Sequence, residues 1–299
     1  MLRIGLDIGG TKTELVALDG AGRERLRRRI ATPHGDYAAA LADIAALVRD
    51  AESTLGAPAT VGIGLPGLLS PASGLVRNAY ATPYNGQPLK RDLERLLERE
   101  LRFENDANCF ALSEARDGAA RGARLVFGAI LGTGAGGGIV CDGRVLAGAN
   151  AIAGEWGHNP LPWMTPEEFP GPRCYCGRRG CIERFVSGPA LAEDHERSEG
   201  ERLEPAAIAA RAVDGDAACA RTLARFELRL ARALAHVVNL LDPDVIVVGG
   251  GLSGLARIYD NVPRAWRDFV YSDSVNTRLL RADHGDSSGA LGAARLWDG

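Results

Sequence analysis

The chain has 299 residues, 46% of them hydrophobic and 24% charged, with a net charge of −3 and a pI of about 6.0. That is the composition of a globular protein, long enough for two domains, and its charge gives no electrostatic case for nucleic acid or an anionic membrane as partner. No apolar run approaches the roughly 20 residues of a membrane helix. The N-terminus enters directly into a strand pattern without a signal peptide, so a cytoplasmic protein is expected. In that compartment the six cysteines read as thiols or metal ligands rather than disulfides.

Arg3–Ile8 reads as a buried strand, Gly9–Lys12 as a turn and Thr13–Leu18 as a returning strand. Arg23–Ile30 is expected as the third strand of a meander; Glu24 and Leu26 break its basic run, which reads as a solvated surface. Leu41, Ile44, Ala45 and Val48 have helical spacing within Tyr37–Leu55. Val61–Leu65 is a strand ending in Pro66-Gly67, Pro71–Gln87 a loop, Leu89–Glu100 an amphipathic helix and Leu101–Phe103 a short strand. A helix is expected over Ala107–Ala120. The opening pattern then recurs about 125 residues later, which suggests two related domains. Its parts are a strand Val126–Leu131, a glycine-rich turn Gly132–Gly138, a strand Ile139–Cys141, and an Asp142-Gly143 hairpin turn into Arg144–Leu146. Helices follow over Ser187–Arg197, Pro205–Val213 and Asp216–Leu241. Val245–Val248 is an apolar strand before Gly249-Gly250-Gly251, and the last helices are Leu255–Phe269 and Ser287–Trp297.

Glu104, Asn105 and Asp106 stand in a row where a strand meets a helix. A carboxylate at such a junction is placed for proton abstraction; the plainer reading is that Asn105 and Asp106 cap the helix. Two glycine turns strengthen the chemical reading. Gly9, Gly10, Thr11 and Lys12 can present backbone N–H groups, a hydroxyl and a charge to phosphates, and Asp7 can hold magnesium through water. Gly132, Thr133 and Gly134 offer the same from the second half. Gly249, Gly250 and Gly251 leave bare backbone for an adenine or ribose. Each is, on the plain view, an ordinary turn, and none is a P-loop.

Cys174, Cys176 and Cys181 lie within eight residues, sixteen residues after His158. Three thiolates and an imidazole make a closed tetrahedral set suited to structural zinc. Glu155 and Glu183, flanking these ligands, are candidates for sugar hydroxyls, with surface charge as the alternative. Cys109, Cys141 and Cys219 are isolated and read as small buried apolar residues.

These motifs together resemble the ROK family of sugar kinases, within the actin-like, hexokinase-type ATPases. The resemblance is carried by DIGGTKT at Asp7–Thr13, GLPG at Gly64–Gly67, ENDAN at Glu104–Asn108 and LGTGAGGG at Leu131–Gly138. GEWGH at Gly154–His158, CYCGRRGC at Cys174–Cys181 and VVGGG at Val247–Gly251 extend it. It implies an α/β fold of two actin-like, ribonuclease H-like domains with a central cleft. The first would span residues 1–118 plus 286–299, after the final helix crosses back, and the second 119–285. It implies ATP with Mg²⁺, a hexose as small-molecule partner, Asp106 as base, and Gly67, Asn105, Glu155, His158 and Glu183 around the sugar. Zn²⁺ would be held by His158, Cys174, Cys176 and Cys181. Dimers are common in the family. The stretch Gly154–Met164 looks more like the fructokinase and mannokinase branch than the N-acetylglucosamine kinase branch, so fructose is the expected substrate, with N-acetylglucosamine or glucose as the alternative. Family members that are transcription repressors carry a helix-turn-helix ahead of the first phosphate turn, for which there is no room before Asp7. An actin- or chaperone-type ATPase is disfavoured by the cysteine knuckle.

Overall fold

The computed structural model describes residues 1–33, 35–79 and 82–298, so positions 80 and 81 of the loop expected over Pro71–Gln87 lie outside the described residues. The chain forms two compact units. Unit 1 comprises Met1–Gly118, Gly138–Ala153 and His284–Gly299; unit 2 comprises Ala119–Gly137 and Gly154–Asp283. Residues 138–153, read from sequence as part of the second domain, are thus grouped with unit 1.

Unit 1 is built on strands β1 (Leu2–Ile8), β2 (Lys12–Leu18), β3 (Glu24–Ala31) and β4 (Ala59–Leu65), with helix α1 (Tyr37–Leu55) between the last two. A small hairpin follows, β5 (Leu68–Leu69) and β6 (Val76–Arg77). Helix α2 (Leu89–Leu97), strand β7 (Leu101–Asn105) and helix α3 (Asp106–Arg116) come next. The sheet order is β3-β2-β1-β4-β7, antiparallel through the meander and parallel from β1 to β4 to β7.

Alternation along β1 and β4 gives the sheet two different faces. Ile4, Leu6, Ile8, Val61, Ile63 and Leu65 form one buried cluster with Ile44 and Val48 of α1 and Leu89 and Leu93 of α2. On the other face the intervening positions are Gly5, Asp7, Gly62 and Gly64. Gly5 and Gly62 are bare because the last helix lies directly on them: a Cβ on Gly5 would sit 2.0 Å from the Ala290 carbonyl oxygen, and one on Gly62 1.9 Å from that of Ala293. Val16 and Leu18 complete this face against Ala290 and Ala294.

Strand β8 (Leu125–Leu131) opens unit 2, and β9 (Ala135–Cys141) begins there. The end of β9 pairs antiparallel with β10 (Arg144–Val145) through a turn in which Asp142 and Gly143 have φ of 50° and 72°, the left-handed pair a two-residue hairpin favours. Unit 2 continues with α4 (Glu183–Val186), α5 (Gly188–Glu199), α6 (Pro205–Val213), the 25-residue α7 (Ala217–Leu241), β11 (Val245–Gly249), α8 (Ile258–Ala265) and β12 (Arg278–Arg281). Strand β11 runs parallel to both β8 and β12. Helix α9 (Ser288–Arg295) belongs to unit 1.

Several expected boundaries shift for local reasons. Asp216 and Ser187 are N-caps rather than helical residues: Asp216 accepts from the N–H groups of Ala218 and Cys219, and Ser187 from that of Ala190. Helix α3 stops at Arg116, short of the expected Ala120. The glycine turn is Gly132–Gly134 only, because Ala135–Gly138 is strand. There a Cβ on Gly137 would meet the Trp156 ring at 2.7 Å, and one on Gly138 would meet the Ala107 carbonyl oxygen at 2.3 Å. Among the isolated thiols Cys109 and Cys219 are buried, whereas Cys141 is only partly so.

Candidate active site

In unit 1 the parallel register sets Asp7 beside Gly64 and Gly64 beside Glu104, and Leu65 beside Asn105. Asp7, Asn105 and Asp106 therefore share the carboxyl edge of one sheet, with the hairpin turn Gly9–Lys12 leaving from the same edge. This is the edge where open α/β sheets bind ligands.

Asn105 is the cap of α3. Its Oδ1 accepts from Ala107 N at 2.9 Å and Asn108 N at 3.4 Å, while its Nδ2 donates to the Gly67 carbonyl at 2.9 Å. An amide so engaged keeps one Nδ2 hydrogen for a ligand. Gly67 is fixed as glycine by its φ of 79° and by the Arg77 carbonyl oxygen, 2.1 Å from where a Cβ would stand. Asp106 is the first helical residue, partly buried, with Oδ1 accepting from Ala107 N at 2.8 Å. Capping thus falls to Asn105, and the Asp106 carboxylate sits at the positive end of an 11-residue helix.

Two neighbours within the ENDAN motif were given no role from sequence. Glu104 accepts from Asn105 N at 2.9 Å and from Asn108 Nδ2 at 3.0 Å, and Asn108 Oδ1 accepts from Ile139 N at 3.2 Å. The four-residue spacing of Glu104 and Asn108 about a helix start was the available signal.

The turn Gly9–Lys12 is closed by Gly9 N donating to the Lys12 carbonyl at 2.9 Å, and Thr32 fastens it through its N–H to the Thr11 carbonyl and its hydroxyl to that of Gly9. Thr11 and Lys12 are exposed. Burial, and then the facing Glu14, push Asp7 up to about 6, against a smaller opposing pull from Lys12. A carboxylate whose charge is disfavoured by burial and a facing carboxylate is suited to a cation. Asp7 is the residue that would hold magnesium, an ion that takes few protein carboxylates and keeps its waters.

The sign of the resulting pH dependence is definite. Between the unfolded value of 3.8 and about 6 the folded chain keeps a proton that the unfolded chain has released, so stability falls as pH rises through that window. Asp7→Asn, measured by denaturation without added magnesium, is expected to exceed the parent by about 1–3 kcal/mol at pH 7.5. The gap should close towards pH 4. An equal or lower stability at pH 7.5 would refute this.

In unit 2 the two remaining glycine turns end adjacent parallel strands. Gly249 pairs with Ile130, and Gly250, at φ 80°, packs against Leu131, whose carbonyl oxygen would lie 2.5 Å from a Cβ. Gly250 is therefore required by strand packing, whereas Gly132 and Gly251 face open space. Thr133 is exposed. Glu183, buried at the start of α4, accepts from Ala135 N at 3.1 Å. It thereby ties the knuckle to the turn Gly132–Gly134. Glu155 immediately precedes a short 3-10 helix, Trp156–His158, and burial raises its carboxyl. Trp156 donates to the Gly136 carbonyl at 2.8 Å and packs edge-on against Phe127.

His158, Cys174, Cys176 and Cys181 converge, their ligand atoms all within 4.8 Å of one another. The Cys174 Sγ to His158 Nδ1 and Cys176 Sγ to Cys181 Sγ distances are both 3.6 Å. Tetrahedral zinc, with bonds of about 2.3 Å to sulfur and 2.0–2.1 Å to nitrogen, gives ligand–ligand edges of about 3.5–3.8 Å. The donor set and its spacing fit zinc. The loop it would close is zipped at its base by Ile182 N donating to the Asn159 carbonyl and Leu161 N to that of Gly180. Purified protein is expected to carry one zinc per chain and Cys176→Ser to lose it, as read by elemental analysis. Metal-free protein with all four ligands intact would exclude the site.

Tyr175, between two of these cysteines, was not singled out from sequence; its hydroxyl lies 2.9 Å from His158 Nε2. Burial, Glu183 and Cys174 raise its phenol above the usual range. A cavity of about 900 Å³ elsewhere in unit 2, lined among others by Arg124, Asn239, Asp244, Tyr271 and Arg278, contains none of the predicted site residues. No described helix is long and apolar enough to cross a membrane.

The chain matches the ROK family over residues 3–299. It is 40% identical over 300 residues to the N-acetyl-D-glucosamine kinase of Vibrio cholerae serotype O1, covering 98% of each chain. The crystal structure of the ROK hexokinase from Thermus thermophilus superposes with a TM-score of 0.88 at 32% identity, over 99% of this chain and 97% of that one. A ROK family glucokinase from Streptomyces griseus, crystallised with glucose and AMPPNP, gives 0.79 at 29% identity over 99% of both. The chain belongs to the ROK family, as one of its ATP-dependent sugar kinases with the actin-like two-domain α/β fold.

Proposed function

We propose that this chain transfers the γ-phosphoryl group of ATP to a hydroxyl of N-acetyl-D-glucosamine. The supporting observation for the chemistry is Asp106, a carboxylate at the carboxyl end of a parallel strand, next to the helix cap Asn105. The support for the sugar is similarity to an N-acetyl-D-glucosamine kinase along the whole chain. The expectation of fructose rests on Gly154–Met164 alone.

In this reading Asp106 accepts the hydroxyl proton as the sugar oxygen attacks the γ-phosphorus in line, and ADP leaves. The backbone N–H groups of Gly9–Lys12 and Gly132–Gly134 stabilise charge on the phosphates. Asp7 holds magnesium, which neutralises phosphate charge when bound. Glu155 and Glu183 accept from sugar hydroxyls, Asn105 donates its remaining Nδ2 hydrogen, and His158 offers Nε2. Zinc, on His158 and the three cysteines, would keep a structural role.

The experiment is a coupled ADP-release assay against N-acetylglucosamine, glucose, mannose and fructose. The highest kcat/KM is expected for N-acetylglucosamine. A higher value for fructose would restore the branch read from Gly154–Met164. ADP release without any sugar, or sugar-sensitive DNA binding, would replace the kinase reading.

A further inference from the structure

The zinc-compatible donor set and the sugar reading both require His158, and the ring has only two nitrogens. Nδ1 faces Cys174 Sγ at 3.6 Å, inside the four-ligand cluster. Nε2 is the nitrogen left for a sugar, and the Tyr175 hydroxyl lies 2.9 Å from it. The two rings meet edge to face, 5.1 Å apart at 88°, yet Tyr175 is 65% exposed. Its contacts to His158 are one hydrogen bond and one edge-to-face packing.

We propose that Tyr175 is a placeholder for the sugar: its phenol occupies the hydroxyl position at His158 Nε2 and swings out when a sugar hydroxyl takes that place. The inference rests on the reading that His158 contacts sugar. A phenol and a sugar hydroxyl offer the same pairing, since each accepts from an imidazole N–H while retaining a proton to donate. A phenol accepting from Nε2–H goes with the tautomer that leaves the Nδ1 lone pair towards the thiolates. The backbone on either side is pinned by Cys174 and Cys176. The exchange is then a rotation of one side chain that is mostly in solvent, and it leaves the metal ligands where they are. Tyr175 thus competes with sugar rather than contributing to its affinity.

The test is Tyr175→Phe, which keeps the ring and removes the hydroxyl. Binding of N-acetylglucosamine and of glucose is measured by calorimetry without nucleotide, and zinc by elemental analysis, in parent and variant. The variant is expected to bind sugar about 2–10-fold more tightly, the equivalent of one hydrogen bond, with zinc retained. Unchanged or weaker binding with zinc retained would overturn the placeholder role, and loss of zinc would make Tyr175 a positioning residue for the metal instead. A parent that binds no sugar would remove the sugar reading itself and this inference with it; a parent that binds sugar isolates the fate of Tyr175.

Discussion

Asp106→Asn is expected to leave the protein folded and to lower kcat by about 10²–10⁴, the usual contribution of a positioned general base. The fold should survive because the two neighbouring residues divide the work. Asn105 accepts from the N–H groups of Ala107 and Asn108 and anchors Gly67, whereas the Asp106 contact to Ala107 N is one that an amide oxygen can also make. The stability lost is the attraction between a carboxylate and the helix N-terminus, about 0.3–1 kcal/mol. Asn105→Ala should lose stability first, together with the proposed Nδ2 contact to sugar. It strips the cap, at about 1–2 kcal/mol, and frees the Gly67 carbonyl, so its melting point falls while the base remains. Thermal melts and the coupled assay on both variants separate the roles. Near-parent turnover in Asp106→Asn, or an unfolded Asp106→Asn protein, would return Asp106 to a structural part.

How much of this was legible in the sequence depended on whether the partners were near in the chain. The knuckle was, because three ligands fall within eight residues and any ion that gathers them must sit among them. Strands β1 and β4 were, as apolar runs. Their glycines were not explained: Gly5 and Gly62 answer to Ala290 and Ala293, more than 200 residues away, which no local pattern encodes. The same blindness extended the Gly132 turn to Gly138, where the bare positions serve Trp156 and Ala107 instead of a phosphate. Strand β12, Arg278–Arg281, gave no strand signal, since a four-residue strand with arginines at both ends has too short an apolar centre to show a period. The preference for fructose was drawn from Gly154–Met164. In the structure Trp156 in that stretch binds the Gly136 carbonyl and packs on Phe127, and His158 faces the cysteines. Those residues hold the fold and the cysteine–histidine cluster, which sugar kinases of different specificity can share.

The second large effect is expected at Glu168, in the loop between His158 and Cys174. Glu168 Oε1 accepts from Arg229 Nε and Arg232 Nη2, each at 2.8 Å, and Oε2 accepts from Thr165 N at 3.0 Å. Arg229 and Arg232 are buried on α7, and Arg229 also pairs with Asp194 of α5 at 2.7 Å. Burial alone would raise the Glu168 carboxyl, but hydrogen bonds from Arg232 and Arg229 outweigh it and hold the group at about 2. Because this folded value lies below the ordinary 4.5, the stabilisation is present above pH 4.5 and is lost as pH falls from there towards 2. Glu168→Gln removes the charge, leaving buried Arg232 without a carboxylate partner and Arg229 with Asp194 alone, so a loss of about 2–4 kcal/mol is expected at pH 7, shrinking below pH 4 as the parent's own carboxylate is neutralised. The consequence reaches Glu183, the proposed sugar ligand, through packing. Arg229 lies over the Phe185 ring, two residues after Glu183, and Arg232 Nη1 holds the Trp163 carbonyl. With α7 detached from this loop, Glu183 loses its backing while Asp106 keeps its own. The sugar KM should therefore rise more than kcat falls. Urea denaturation across pH 3–7 and steady-state kinetics on Glu168→Gln check both halves. A stability difference independent of pH, or a loss confined to kcat, would show that the ion cluster neither titrates as argued nor supports the sugar ligands.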